Sequence, residues 1–264
     1  LAVLLPVPFA VAAAYLPNPS ASLIAFVSVC LFVLAVYFYA IVDSYRLAKR
    51  IGEHYELKDY NRGIVYLLFI VASIIHAPAV AMHIRANVLE AFFCPSDSMS
   101  PTLQTGDRFL VNKLLQRQLP HRGDAVVFLS PNNRDQRWVK RVIALPGDTV
   151  SMQGSDVYVN GKKLEHRHVP ISDQTPADSS ASEVVCETDG GATYRIQLRA
   201  DAPMAGTYAE TQVPPGHCFV LGDNRDHSED SRRFGFVPLG DILGKAQYVY
   251  WPAKRWSRFG TIDQ

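Results

Sequence analysis

The chain has 264 residues, which is enough for one domain of ordinary size together with a membrane anchor. Its formal net charge is +1, so the overall charge gives no indication of a nucleic-acid-binding protein. Four cysteines are too few for a disulfide-stabilised scaffold. Cys186 and Cys218 could pair in an oxidising compartment, and the sequence leaves that pairing open.

The N-terminal part of the chain is apolar, and no charged residue occurs before Asp43. The run 21–42 is long enough for a helix across the hydrocarbon core, which takes about 20 residues, and the run 64–82 has the same character. Residues 1–16 are short and contain two prolines, and they could be the remainder of a further membrane helix. A cleaved targeting peptide is the competing interpretation, but its positively charged leading region is absent. We therefore predict a membrane anchor over residues 1–84 with two or three transmembrane helices.

The orientation of this anchor follows from its basic residues. The connection 43–63 carries five lysine or arginine residues, whereas the connection 17–20 carries none. Short cytoplasmic loops collect Lys and Arg. We therefore expect the 43–63 loop to be cytoplasmic and everything after Met82 to lie on the opposite side of the membrane.

Beyond Glu90 the pattern changes to short apolar segments separated by Gly, Pro and Asp, which is typical of an antiparallel β domain. The Asn160-Gly161 pair between two such segments predicts a tight hairpin turn. The stretch 170–182 is polar and is predicted to be an exposed loop. We predict a β domain over residues 85–264. Its predicted strands include 108–111, 125–129, 138–145, 157–159 and 218–221.

A serine-rich segment between two prolines follows the predicted anchor. Pro95 and Pro101 restrict the backbone on either side of Ser98, and a nucleophile benefits from being held in a fixed position. Clusters of Ser, Asp and Pro are usually plain turns, so this segment alone favours a turn.

Two adjacent cations lie in the middle of an apolar segment. Neighbouring residues of a strand point to opposite faces, so one of Lys140 and Arg141 should face the interior or a cleft. An ordinary lysine, with a pKa near 10.4, is neutral in about one molecule in a few thousand at neutral pH, but burial lowers that pKa by several units. Lys140 is therefore a candidate base, although a strand with both cations solvated at an edge fits this segment equally well.

The segment 222–233 is dense in alternating charges and hydroxyl groups. It could form an ion-pair network that holds a neutral amine in place, although such a run is usually a solvated loop. The histidines have no obvious partner carboxylate, so the sequence does not indicate a Ser-His-Asp triad.

Taken together and in this order, these segments closely resemble the motifs of bacterial type I signal peptidases, also called leader peptidases, which are serine proteases with a Ser/Lys dyad. The resemblance runs from about Arg85 to Gly260 and includes the segments 95–103, 122–128, 138–148 and 213–232. It implies a mainly β fold, in which an antiparallel β catalytic domain with coiled sheets follows N-terminal transmembrane helices. A family-variable β insertion is expected at about 151–212.

The same resemblance implies roles for individual residues. Ser98 would be the nucleophile and Lys140 the general base, while Ser96 and the backbone N–H of Ser98 would form the oxyanion hole. Ser228 would position the lysine. The supporting ion-pair residues would be Arg141, Asp223, Asp230 and Arg232. The residues lining the substrate pockets would be Phe92, Cys94, Pro95, Leu103, Trp138 and Val139.

The implied activity is that of a membrane-bound endopeptidase that removes N-terminal signal peptides from secreted precursors. It needs no metal or organic cofactor, and its partners would be signal peptides and the lipid bilayer, with no nucleic acid. We expect a monomer in the bacterial cytoplasmic membrane with its catalytic domain on the extracytoplasmic side.

One departure from the family pattern concerns the residue before the nucleophile. Asp97 stands where the family most often has Gly, and a carboxylate facing the site would disfavour a developing oxyanion. We expect Asp97 to point to solvent. Two alternatives stay open: a specialised Ser/Lys processing peptidase with one dedicated substrate, and an inactive membrane-anchored adaptor that keeps the β domain for binding.

Overall fold

The computed structural model describes residues 63–114, 119–168, 182–189, 191–199, 207–254 and 256–262, together with single residues and short runs between 28 and 50. The predicted span 1–16, parts of the predicted span 21–42, most of the predicted 43–63 loop and residues 170–181 of the predicted polar loop lie outside the described residues.

The chain divides into two compact units, Leu1–Leu89 and Glu90–Gln264. The helix α1 (Gly63–Asn87) belongs to the first unit and includes the predicted span 64–82. Many of its large apolar side chains are exposed, among them Ile64, Leu67, Leu68, Ile70, Ile74, Ile75 and Met82. Among the described residues, no helix meets the combined requirements of length and apolar character for crossing a bilayer.

From Leu89 onward the described chain is mainly antiparallel β, as predicted. The strands are β1 (Leu89–Phe93), β2 (Arg108–Asn112), β3 (Ala125–Leu129), β4 (Arg137–Ala144), β5 (Thr149–Gln153), β6 (Asp156–Val159), β7 (Lys162–Lys163), β8 (Glu165–His168), β9 (Ser182–Asp189), β10 (Ala192–Arg199), β11 (Thr207–Gln212), β12 (His217–Leu221), β13 (Val237–Pro238), β14 (Ile242–Trp251) and β15 (Gly260–Thr261). A short helix, α2 (Ser231–Phe234), follows β12. All five strand segments predicted from the sequence are present, with small shifts at their ends.

The described strands form three sheets. The largest has eight strands in the order β1-β2-β14-β3-β4-β12-β13, with β15 paired to β14. The register of β14 shifts at three bulges as it pairs with β2 and β3. Bulges increase the local twist of a strand, so this sheet curls as the resemblance implied.

The strand β3 explains how the large sheet carries two hydrophobic cores. Four consecutive residues of β3 are buried. Ala125 and Val127 belong to one apolar cluster, and Val126 and Phe128 to another. Because alternate side chains of a strand point to opposite faces, the sheet is covered on both sides here. The first of these clusters also packs around the segment that carries Ser98.

The predicted insertion 151–212 contributes two smaller sheets, β11-β5-β6-β7 and β10-β9-β8. The predicted hairpin turn between β6 and β7 is confirmed, because Asn160 and Gly161 have φ angles of 53° and 74° and β6 pairs with β7. Cys186 on β9 and Cys218 on β12, whose pairing the sequence left open, are both free thiols.

Candidate active site

Ser98 lies in a turn that is followed by buried apolar side chains. Met99 and Leu103 have no exposed surface, and the Leu103 N–H donates to the Met99 carbonyl at 2.9 Å. The Ser100 N–H donates to the Asp97 carbonyl at 2.9 Å. Packing on one side of Ser98 and turn hydrogen bonds around it therefore fix the position of its hydroxyl.

Lys140 lies in the middle of β4 and reaches this hydroxyl. Its Nζ donates to Ser98 Oγ at 2.7 Å, although the two residues are 42 positions apart in sequence. The lysine is only 4% exposed. Burial lowers its pKa from 10.5 to about 8, against the opposing effect of the Asp230 and Asp223 charges. The Lys140 amine thus contacts the Ser98 hydroxyl and loses its proton more readily than an ordinary lysine does.

Ser96 and Gly222 both lie close to Ser98. The Ser96 hydroxyl donates to Ser98 Oγ at 3.3 Å. Gly222, at the end of β12, comes so close that a methyl group there would lie 2.6 Å from the Ser98 carbonyl oxygen. Asn224, two residues after Gly222, donates its N–H to the same carbonyl at 3.1 Å. The loop after β12 is therefore packed directly against the segment of the nucleophile.

Ser228 is brought into the same region but does not bind the lysine. A methyl group at Gly222 would lie 2.1 Å from Ser228 Oγ, so the hydroxyl is next to the end of β12. Ser228 Oγ is buried and has no hydrogen-bond partner among the residues that the structure describes. The lysine-positioning role implied for Ser228 by resemblance stays a prediction, since no hydrogen bond joins it to Lys140 in this structure.

The two supporting ion pairs implied by resemblance are present as contacts. Arg141 donates from Nε and Nη2 to the two carboxylate oxygens of Asp223, at 2.8 and 2.6 Å, and both side chains are buried. Arg232 donates to both oxygens of Asp230, at 2.6 and 2.7 Å. Asp230 also accepts the N–H of Gly222 at 3.0 Å. Both pairs therefore fix the position of the chain next to Ser98 and Lys140.

Lys140 and Arg141 are both buried. The sequence predicted this for one of the two adjacent cations only. The outcome differs because both faces of β4 are covered at this point, Lys140 by the segment that carries Ser98 and Arg141 by Asp223 and the Tyr194 ring.

An open cleft of about 370 Å³ ends at Ser98 and Lys140. Its walls include five of the six predicted pocket residues, which are Phe92, Cys94, Pro95, Trp138 and Val139. The sixth, Leu103, is fully buried in the apolar cluster beneath the segment that carries Ser98 and is not part of the described cleft wall, so its role as a pocket residue stays a prediction. Lining residues that the sequence did not predict are Phe93, Phe109, Val127, Arg137, His227 and Glu229.

Asp97 and His227 lie at the rim of this cleft. The Asp97 side chain is 57% exposed, in agreement with the expectation that it points to solvent, and it still contributes to the cleft wall. His227 Nε2 lies 3.8 Å from Asp97 Oδ1, so this histidine has a neighbouring carboxylate that the sequence did not reveal. Neither group contacts the Ser98 hydroxyl at hydrogen-bond distance among the described contacts.

Cys94 forms part of the inner wall of the cleft and is almost fully buried. Its thiol donates to the Ser96 carbonyl at 3.1 Å. Burial raises its pKa from 9.0 to about 11, so the thiol stays protonated at neutral pH.

A further buried ionic group lies behind the site and is not predicted by the sequence. Glu187 on β9 accepts hydrogen bonds from Arg225, from the Tyr194 hydroxyl at 2.8 Å and from its His166 neighbour at 2.9 Å. Glu187 and Arg225 are 38 residues apart. Nothing in the local pattern around either residue indicates the other, so only the fold brings them together.

Comparison with known proteins gives consistent matches. The profile of the family described as "Signal peptidase, peptidase S26" matches residues 67–251. The chain is 36% identical over 182 residues to a signal peptidase I of Bacillus caldolyticus, covering 69% of this chain and 90% of the relative. It is 35% identical over 189 residues to a probable signal peptidase I-2 of Synechocystis sp., covering 69% and 72% of the two chains. A signal peptidase I of Pseudomonas aeruginosa is 32% identical over 234 residues, covering 79% and 78%.

Proposed function

Because this chain belongs to the signal peptidase family, peptidase S26, we propose that it removes signal peptides from secreted precursors by an acyl-enzyme mechanism with Ser98 as nucleophile and Lys140 as general base. The observation that carries the mechanism is the 2.7 Å contact between Lys140 Nζ and Ser98 Oγ in a buried setting. The family membership supports the endopeptidase reaction, and the geometry supports the residue assignment.

The first step is the transfer of the Ser98 proton to neutral Lys140. With a pKa of about 8, about one lysine in ten is neutral at pH 7, against about one in a few thousand for an ordinary lysine. Ser98 Oγ attacks the scissile carbonyl carbon, and the protonated lysine then gives its proton to the leaving amine of the mature protein. A water molecule activated by the same lysine hydrolyses the resulting ester and releases the signal peptide.

We assign the stabilisation of the oxyanion to the Ser96 hydroxyl and the backbone N–H of Ser98. The Ser96 hydroxyl is 3.3 Å from the attacking oxygen and can turn toward a carbonyl bound there. Loss of one such donor typically lowers kcat by about 10² to 10³-fold. The apolar cleft walls at Phe92, Trp138 and Val139 suit the small side chains at the −1 and −3 positions of an extended signal peptide.

The proposal includes a membrane anchor of two or three helices over residues 1–84. It is supported by the uncharged run 21–42, by the basic 43–63 connection and by the exposed apolar side chains of α1. A helix with that surface would leave a large apolar area in water, which soluble proteins avoid. We place the β unit of this chain, as a monomer, on the extracytoplasmic side of the bacterial cytoplasmic membrane.

The test is cleavage of a precursor that carries an Ala-X-Ala site. We expect Ser98→Ala and Lys140→Ala to abolish cleavage, while the matched variants Ser100→Ala and Lys162→Ala retain it. The kcat/KM of the native chain should rise with pH through about 8, because the base acts only after it has lost its proton. Cleavage by folded Ser98→Ala or Lys140→Ala protein would refute the assignment.

The same assay separates the two alternatives. A peptidase dedicated to one substrate would cut a single member of a panel of unrelated secretory precursors, whereas we expect cleavage of most of them. An inactive adaptor would cut none. The intact contact between Lys140 and Ser98 speaks against that second alternative.

A further inference from the structure

The three-stranded sheet β8–β10 lies in the predicted insertion, yet it contacts the loop that packs against the nucleophile segment. The N–H of Gln197 donates to the Asp223 carbonyl at 2.8 Å, and the N–H of Arg199 donates to Asp226 Oδ2 at 2.7 Å. Gln197 also forms an isolated parallel bridge with Asn224. The strand β10 therefore follows the loop 223–226 along its length.

A buried carboxylate strengthens this contact from the adjacent strand. Glu187 has no exposed surface, and it accepts hydrogen bonds from Nη1 of Arg225 at 2.9 Å and from Nη2 of the same side chain. The Tyr194 hydroxyl and the His166 ring complete its partners. Burial raises the pKa of the Glu187 carboxyl, but the Arg225 charge and the hydrogen bonds outweigh it and lower that pKa from 4.5 to about 2. The pair is therefore ionised throughout the range in which proteins are assayed.

The loop held by Arg225 contacts Ser98 and Arg141, the neighbour of Lys140. Asn224, one residue earlier, donates its N–H to the Ser98 carbonyl at 3.1 Å and its side-chain amide to the Asp97 carbonyl at 3.3 Å. Asp223 accepts the two hydrogen bonds from Arg141, the neighbour of Lys140 on β4. A shift of this loop would thus move the serine and the lysine relative to each other.

Tyr194 links the same carboxylate to the lysine strand by a second route. The Arg141 guanidinium lies over the Tyr194 ring at 4.2 Å from its centroid, while the Tyr194 hydroxyl donates to Glu187. Cation–π contacts of a buried arginine are stronger than those at an exposed site. The inserted sheet therefore holds Arg225 by charge and Arg141 by its aromatic face.

We propose that Glu187, assisted by Tyr194, is a positioning residue for signal-peptide cleavage, through which the inserted β8–β10 sheet holds the Asp223–Arg225 loop and thereby sets the distance between Ser98 and Lys140. This inference rests on the function proposed above. It assigns to the insertion a part in the reaction that does not involve contact with substrate.

The test is the kinetics of Glu187→Gln in the full chain, with Glu183→Gln as the matched control. Glu183 lies on the same strand and pairs with a histidine, His168, but that pair is exposed at the surface. A displacement of about 1 Å at a reacting group costs about 10²-fold in rate. We expect Glu187→Gln to lower kcat by about 10²-fold with KM unchanged, and Glu183→Gln to leave both unchanged.

A merely structural role would lower the fraction of folded enzyme and leave the turnover of each folded molecule unchanged. The concentration of sites is therefore counted by titrating Ser98 with an acylating inhibitor, and kcat is expressed per reactive site. An unchanged kcat per site in Glu187→Gln would overturn the proposal.

Should Glu187→Gln fail to fold, Tyr194→Phe decides, because it removes one hydrogen bond to the carboxylate and keeps the ring under Arg141. We expect a smaller loss of kcat with KM unchanged, and an unchanged kcat would overturn the proposal. If the native chain and Glu183→Gln both fail to cleave any precursor, the proposed function fails instead.

Discussion

The burial that lowers the pKa of Lys140 also opposes folding. A lowering of its pKa from 10.5 to about 8 corresponds to about 3 kcal/mol against the ammonium in the folded protein. Between pH 8 and 10.5 the unfolded chain binds more protons at this residue than the folded chain does. The free energy of unfolding therefore rises with pH across that window, and below pH 8 the full cost is present.

We predict that Lys140→Met is more stable than the native chain at pH 7, although it is inactive. Methionine fills a similar volume without a charge to desolvate. The free energy of unfolding should therefore increase by up to about 3 kcal/mol at pH 7, and this increase should shrink as the pH rises from 8 to 10.5. Denaturant unfolding at several pH values measures it. Lys162→Met is the control, because Lys162 is exposed and should give no gain.

No gain for Lys140→Met at pH 7 would mean that the amine is not held in a desolvated setting. The proposed role of the lysine as base would then lose its physical support.

The sequence predicts individual residues well where reactive residue types belong to motifs that follow one another in a known order along the chain. Ser98, Lys140 and Asp223 were identified by their resemblance to a motif series, and the structure brings them into one site. Glu187 could not be found this way, because its partner Arg225 lies on another element and its own neighbourhood resembles an ordinary strand. The burial of Leu103 could not be predicted from the sequence either, because an apolar residue near a nucleophile can face either the substrate or the core.

At the scale of elements, the end of β12 sets how closely the charged loop approaches the nucleophile. Gly222 leaves room there for both the Ser98 carbonyl and the Ser228 hydroxyl. Any side chain at this position would push apart the two segments that form the site. The absence of a Cβ at Gly222 is therefore part of the site geometry.

We predict that Gly222→Ala lowers kcat by about 10²-fold, because the added methyl group would lie 2.1 Å from Ser228 Oγ and 2.6 Å from the Ser98 carbonyl oxygen. Steady-state cleavage of a peptide substrate measures this. Gly240→Ala is the matched control, since nothing lies within 4 Å of the added methyl group there. Equal kcat values for the two variants would contradict the close packing.

Local elements of the β unit were predictable because their signals are local. The Asn160-Gly161 pair specifies its own turn through two residues that tolerate positive φ, and Asn160 adds a hydrogen bond to the Thr149 N–H at 2.8 Å. The grouping of strands into three sheets was not predictable, because pairing depends on contacts distant in sequence. The bulges of β14, which let it pair with β2 and β3, leave no clear sequence pattern.

At the scale of the whole molecule, the β unit carries its own cores. The three apolar clusters draw their described members from Phe92 onward. The described ion pairs that surround the site lie in Glu90–Gln264 as well. We therefore expect this unit to fold by itself.

We predict that residues 85–264, produced without the preceding segment, fold with an unchanged thermal unfolding temperature and cleave a short peptide that bears an Ala-X-Ala site. Circular dichroism and peptide cleavage in detergent measure the two outcomes. The same shortened chain with Lys140→Ala is the control and should fold without cleaving. An unfolded shortened chain would show that the β unit depends on residues 1–84.

The protonated thiol of Cys94 has a consequence for inhibitor chemistry. Soft electrophiles react with thiolates, and this sulfur, with its pKa raised to about 11, offers almost none at neutral pH even though it forms part of the cleft wall. An electrophilic inhibitor placed in the cleft thus meets almost no thiolate at Cys94. The cleft wall therefore favours reaction at the Ser98 hydroxyl over reaction at the Cys94 thiol. Covalent ligands can be optimised for shape without measures that prevent reaction with the thiol.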